Sequence, residues 1–148
     1  GHIFDHFAIL YEYPGDVFVT SMCRQIEGCS SRVEEGFTGT DGTCVTWPGR
    51  GDIRGKTEWK FTGENPNPYA REHADLIAAI QSNQPINEGV RIAESTLTAI
   101  MGRMSAYTGK DVSWEQAMNS KLDLWPGKVE LGSMPTPEVA VPGKTALV

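Results

Sequence analysis

Cysteine is scarce in this chain: Cys23, Cys29 and Cys44 are the only three in 148 residues. An odd count argues against a disulfide framework, and these spacings do not match the C-x₂-C pairs of a structural zinc site. His2, His6 and His73 show no ligand spacing either, so no metal centre is expected. Free, buried thiols are the reading that fits how often cysteine is buried. No apolar run approaches the roughly 20 residues that span a bilayer. Residues 1–15 lack a basic segment followed by an apolar core, so no secretory leader is visible in them. A basic block is also missing, and with a net charge of −6 the chain offers no nucleic-acid surface. Nor is there a G-x-G-x-x-G or G-x₄-G-K-[ST] loop, a G-x-S-x-G elbow or an H-E-x-x-H helix.

What remains suits a globular chain, with 39% hydrophobic and 22% charged residues. A domain of this size can bury about 70% of its unfolded surface. The first half is strand-like. Phe4 to Tyr13 alternates large apolar and other residues, Pro14-Gly15-Asp16 punctuates, and Asp16 to Ile26 alternates again, which predicts a β-hairpin. Arg32 to Thr38 and Gly42 to Trp47 flank a second hairpin turn, and Pro48-Gly49 ends that run. Ile53 to Gly55 and Thr57 to Phe61 add short strands, for roughly five or six in all, mostly antiparallel. Their apolar residues fall on both faces, where a sheet solvated on one side should alternate strictly. Helices are therefore expected on one face and a second domain or subunit on the other.

The second half is helical. Asn67 as N-cap and Pro68 at the first position open a helix that Pro85 should stop. From about Asn87, the stripe Val90, Ala93, Leu97, Ile100, Met101 and Met104 predicts a longer helix that Gly109 terminates. Ser113-Trp114-Glu115-Gln116 fits a capping box at the start of a third. Beyond Leu124, Pro126, Pro135, Pro137 and Pro142 exclude regular helix. The expected fold class is α+β: an open, mainly antiparallel sheet with helices packed on one face, then an extended Pro-rich C-terminal tail. The domain covers 1–124, with strands at about 4–61 and helices at about 68–120, and the tail covers 125–148.

Asp5-His6 and Arg24-Gln25 interrupt otherwise apolar strands. A hairpin would bring the start of the first strand to the end of the second, placing these four residues together. An imidazole beside a carboxylate and a guanidinium can bind a hydroxylated or anionic substrate. Cross-strand charge pairing at a solvated strand end explains the same residues without function. His73 reads as a packing histidine. Trp47, Trp59, Tyr69 and Trp114 could stack on a sugar ring, although aromatics on strands usually belong to a core. Met101 and Met104 read as core.

One family shares these strings. The run Asn67-Pro68-Tyr69-Ala70-Arg71-Glu72-His73-Ala74-Asp75-Leu76-Ile77, with Ala93-Glu94-Ser95-Thr96-Leu97-Thr98-Ala99-Ile100-Met101, resembles the helical end of the Gfo/Idh/MocA oxidoreductases, in a bacterial branch. Tyr107-Thr108-Gly109-Lys110 and Val112-Ser113-Trp114 continue the likeness, as do Phe4-Asp5-His6-Phe7-Ala8 and Met22-Cys23-Arg24-Gln25. The resemblance implies the C-terminal substrate-binding and oligomerisation domain of an NAD(P)-dependent oxidoreductase acting on a sugar, polyol or derivative. It implies a partner N-terminal Rossmann domain, and a homo-oligomer formed through the open sheet face. Asp5, His6, Arg24 and Gln25 would then be substrate-binding. The family's nucleotide fingerprint and its Glu-Lys-Pro segment have no counterpart here, and its Asp-x₃-His helix motif is not the adjacent Asp5-His6 pair. Since the chain also opens almost inside a strand, it is expected to be the back half of a larger enzyme. Alone it should bind no NAD or NADP and transfer no hydride. The alternative is a stand-alone small-molecule-binding or dimerisation module.

Overall fold

A computed structural model describes residues 1–125 and 127–147; Pro126 and Val148 lie outside the described residues. The fold is α+β: among the described residues, six antiparallel-paired strands are followed by three helices. The expected single open sheet is instead two sheets. Strands β1 (His6–Tyr13) and β2 (Val17–Arg24) form a two-stranded ribbon. Strands β3 (Glu35–Gly39), β4 (Gly42–Trp47), β5 (Arg50–Gly55) and β6 (Trp59–Lys60) form a four-stranded meander. Two compact units result: Gly1–Glu27 with Glu88–Val148, and Gly28–Asn87.

In the first unit, turn chemistry sets the hairpin. Gly15 and Asp16 both take positive φ, 80° and 58°, in the loop that closes on the Tyr13–Val17 pair. Helix α2 (Gly89–Thr108) then lies along β1. The contacts fix its direction. Tyr11 donates its hydroxyl to the Thr98 carbonyl at 3.0 Å, Gly102 sits over Tyr11 and Ile9, and Tyr107 packs on Phe4 and Phe7 with ring centroids 4.6 and 6.1 Å away. Going down α2 therefore means going back up β1. Such aromatic pairs contribute about 0.5–1.5 kcal/mol beyond the area they bury. Burial holds the Tyr11 phenol above the ordinary tyrosine pKa, with Tyr13 and Cys23 adding to the shift.

Gly109 ends α2 in the left-handed region at φ 68°. Helix α3 (Trp114–Met118) opens on the expected capping box: Ser113 Oγ accepts from the Gln116 amide, and Gln116 Oε1 accepts from the Ser113 amide. Packing of α3 on α2 buries Met104, Thr108 and Ala117, a small core. Residues 127–140 form no helix or strand. At 141–145 the chain turns back onto the end of α2, where the Gly143 amide donates to the Thr108 carbonyl at 2.7 Å.

In the second unit, two-residue loops link the first three strands. Thr40-Asp41 closes the Gly39–Gly42 pair, and Pro48-Gly49 closes the Trp47–Arg50 pair with Gly49 at φ 76°. Helix α1 (Pro68–Ser82) starts as expected, with the Asn67 side chain accepting from the amides of Tyr69 and Ala70. It stops earlier than expected. Asn83 adopts φ 53° and caps it two residues before Pro85, because asparagine tolerates the left-handed region. Within this unit α1 packs on no strand, and Ile77 and Ile80 of its apolar stripe stay exposed. Only α2 meets the expectation of a helix laid on a sheet face.

The cysteines are free as expected but not buried. Cys23 and Cys29 are exposed and Cys44 is half-buried. Of the four aromatics expected in a core, Trp47 is half-buried, while Trp59, Tyr69 and Trp114 are exposed.

Candidate functional site

The first hairpin brings Asp5, His6, Arg24 and Gln25 to one end. Its register pairs His6 directly with Arg24, and one step further the Gln25 amide donates to the Asp5 carbonyl at 2.7 Å. The Asp5 carboxylate lies 2.7 Å from His6 Nδ1. A carboxylate only accepts, so Nδ1 carries the proton and, in the neutral ring, Nε2 is left able to accept one. That is the orientation in which an imidazole can take a proton from a hydroxyl. Both side chains are mostly exposed, at 62% for Asp5 and 72% for His6. The pair alone is therefore a weak, solvent-exposed hydrogen bond, and a bound ligand would have to supply the desolvation that strengthens it.

Strand alternation puts His6 and Arg24 on one face, while Asp5 and Gln25, one residue outside the strands, occupy the alternate positions. Phe7, Ile9 and Tyr11 are the half-buried residues of β1, facing α2. His6, Ala8, Leu10 and Glu12 point the other way, with Arg24, Met22, Thr20 and Phe18 as their cross-strand partners. His6 and Arg24 thus head a face whose middle is apolar and exposed: Leu10 is 59%, Phe18 59% and Met22 76% accessible.

His73 is not a core histidine. Its Nδ1 donates to the Tyr69 carbonyl at 2.6 Å, and the side chain is exposed on α1. Among the described residues no group of three His, Cys, Asp or Glu side chains could hold a metal ion. The glycine-bearing loops at Gly39–Gly42 and Gly49–Gly51 join strand to strand, so neither aims a helix N-terminus at a pyrophosphate. Glu88 precedes α2 and would repel one. No described helix is long and apolar enough to cross a membrane.

A second group of side chains has no motif to mark it. Phe37, Asp41 and Lys56 border a concavity of about 390 Å³ on the second sheet. The signal in the sequence is the matched positions of Phe37, Cys44, Ile53 and Trp59, which become visible only once the meander's register is known. Comparison with protein-family models, with curated proteins and with solved structures gave no match.

Proposed function

We propose that this chain is the C-terminal substrate-binding and oligomerisation domain of an NAD(P)-dependent oxidoreductase acting on a sugar, polyol or derivative. The observation that most supports this reading is the polar end of the first hairpin. There His6 and Arg24 are cross-strand partners on one face, Asp5 holds the His6 ring, and Gln25 follows Arg24 just beyond the strand. Between them they can accept from and donate to several neighbouring hydroxyls. Their role is to position the substrate; a nicotinamide held by a separate Rossmann domain would supply the redox chemistry. In the intact NAD(P)-dependent enzyme, Arg24→Ala should raise KM roughly tenfold, the scale of a lost charge-assisted hydrogen bond. Unchanged KM and kcat would remove Arg24 from the site. Saturable sugar binding with no NAD(P)-dependent turnover in the native gene product would favour a stand-alone binding module instead.

The partner for the open face, on this reading, is a second copy. The face carries His6 and Arg24 at one end and Glu12 at the other, with Ala8, Leu10, Phe18 and Met22 between. Two such faces related by a two-fold axis bring the apolar middles together and leave the His6–Arg24 end to the substrate. Leu10→Asp should convert a dimer to a monomer in light scattering. A strictly monomeric wild-type chain would end this assignment.

A further inference from the structure

We infer that the four-stranded sheet carries a separate site for a single neutral sugar or polyol ring, at the end formed by the β3–β4 turn. The floor comes from the register. Phe37 pairs with Cys44, and Cys44 with Ile53, so these three side chains lie side by side on one face. Cys44 and Ile53 are half-buried, whereas the Phe37 ring is 61% exposed and stands at the margin. This gives an apolar surface with a free aromatic face, which can receive the C–H side of a pyranose.

The rim is polar and carries no net charge. Asp41 Oδ2 lies 3.6 Å from Lys56 Nζ. The Lys56 amide donates to the Asp41 carbonyl at 2.8 Å, tying the two rim segments together. A carboxylate that accepts and an ammonium that donates suit a ligand with both hydroxyl donors and acceptors. A charged ligand would be attracted by one member of the pair and repelled by the other. The volume, about 390 Å³, lies at the small end of ligand sites. It suits one ring.

Glycine lets the backbone close up at one border. Gly42 and Gly55 face each other across β4 and β5 so closely that a Cβ on Gly42 would fall 2.2 Å from the Arg54 carbonyl oxygen. Gly42 itself lines the concavity, which stays open to solvent on its outer side. The site lies wholly within the second unit and does not depend on the oxidoreductase reading.

The test is an amide-resolved NMR titration of this chain with glucose, galactose and myo-inositol at millimolar concentration. Saturable shifts at Thr40, Lys56 and Thr57 with at least one of them are expected. Phe37→Ala should weaken that binding roughly tenfold or more, and Phe37→Tyr should retain it. Asp41→Asn, at a side chain 73% exposed and so harmless to the fold, should weaken it as well. No saturable shift with any of the three probes overturns the inference. So does binding that survives both Phe37→Ala and Asp41→Asn. NAD(P)-dependent turnover by the parent enzyme is scored separately, so the failure of either reading leaves the other standing.

Discussion

Gly102→Ala is expected to destabilise the first unit by about 1–3 kcal/mol, although the same change in an open helix would stabilise it by about 1 kcal/mol. The sign is set by β1. A Cβ at position 102 would stand 2.3 Å from the Tyr11 hydroxyl oxygen, 3.2 Å from the ring carbon that bears it and 3.3 Å from Ile9 Cγ1. A long flexible side chain could swing clear, but Tyr11 is a rigid ring whose hydroxyl is tied to the Thr98 carbonyl. Either that bond breaks or α2 lifts from the strand. Tyr11→Phe removes the closest atom and loses the hydrogen bond, at about 1 kcal/mol. In that background Gly102→Ala should be close to neutral or mildly stabilising. Urea denaturation of the four chains, followed by circular dichroism, gives the coupling directly. If Gly102→Ala stabilises the chain that retains Tyr11, then α2 does not press on β1 as described.

A comparable loss is expected at the edge of the meander. Gly42→Ala puts its Cβ 2.2 Å from the Arg54 carbonyl oxygen, and Gly55→Ala puts its Cβ 2.4 Å from the Asp41 carbonyl oxygen at a φ of 136°. Both obstacles are backbone, so no rotamer relieves them. Each substitution should cost about 2–3 kcal/mol in the second unit. The double variant should cost less than the sum, because one separation of β4 from β5 relieves both clashes. Gly36→Ala, where nothing lies within 4 Å, is the control and should be nearly silent. Proteolysis at Asp41 and Lys56, watched over time, reads out the loosened end. Equal resistance in Gly42→Ala and Gly36→Ala would contradict the close approach.

These glycines also show how far a sequence carries. Features fixed by a few neighbouring residues are legible in it. Asn67 and Pro68 announce α1, Ser113 and Gln116 announce α3, Gly109 stops α2, and the turns at Pro14–Asp16 and Thr40–Asp41 fold as written. The grouping of Asp5, His6, Arg24 and Gln25 is legible for the same reason: one tight turn fixes every pair below it. Asn83 hides because a left-handed asparagine looks like any polar residue, while Pro85 advertises itself. The division into two sheets is not local at all. Whether β2 goes on to pair with β3 depends on backbone partners that alternation does not name, and residues 28–34 form no strand between them. Phe37 could not be tied to Lys56 without the strand order that lies between them.

The first unit is written in two pieces, with a whole unit spliced between them, and that order has a kinetic consequence. The Tyr11–Thr98 hydrogen bond spans 87 positions of chain. On a ribosome adding roughly 5–20 residues per second, the first hairpin waits on the order of ten seconds for the helix that covers it. A two-stranded hairpin alone is marginal in water, and this one shows apolar side chains on both faces meanwhile. The meander needs only neighbouring strands, and its hairpins can close within microseconds of emerging. The later-made helix is therefore what covers the earlier hairpin, and that nascent hairpin is the segment a chaperone would meet.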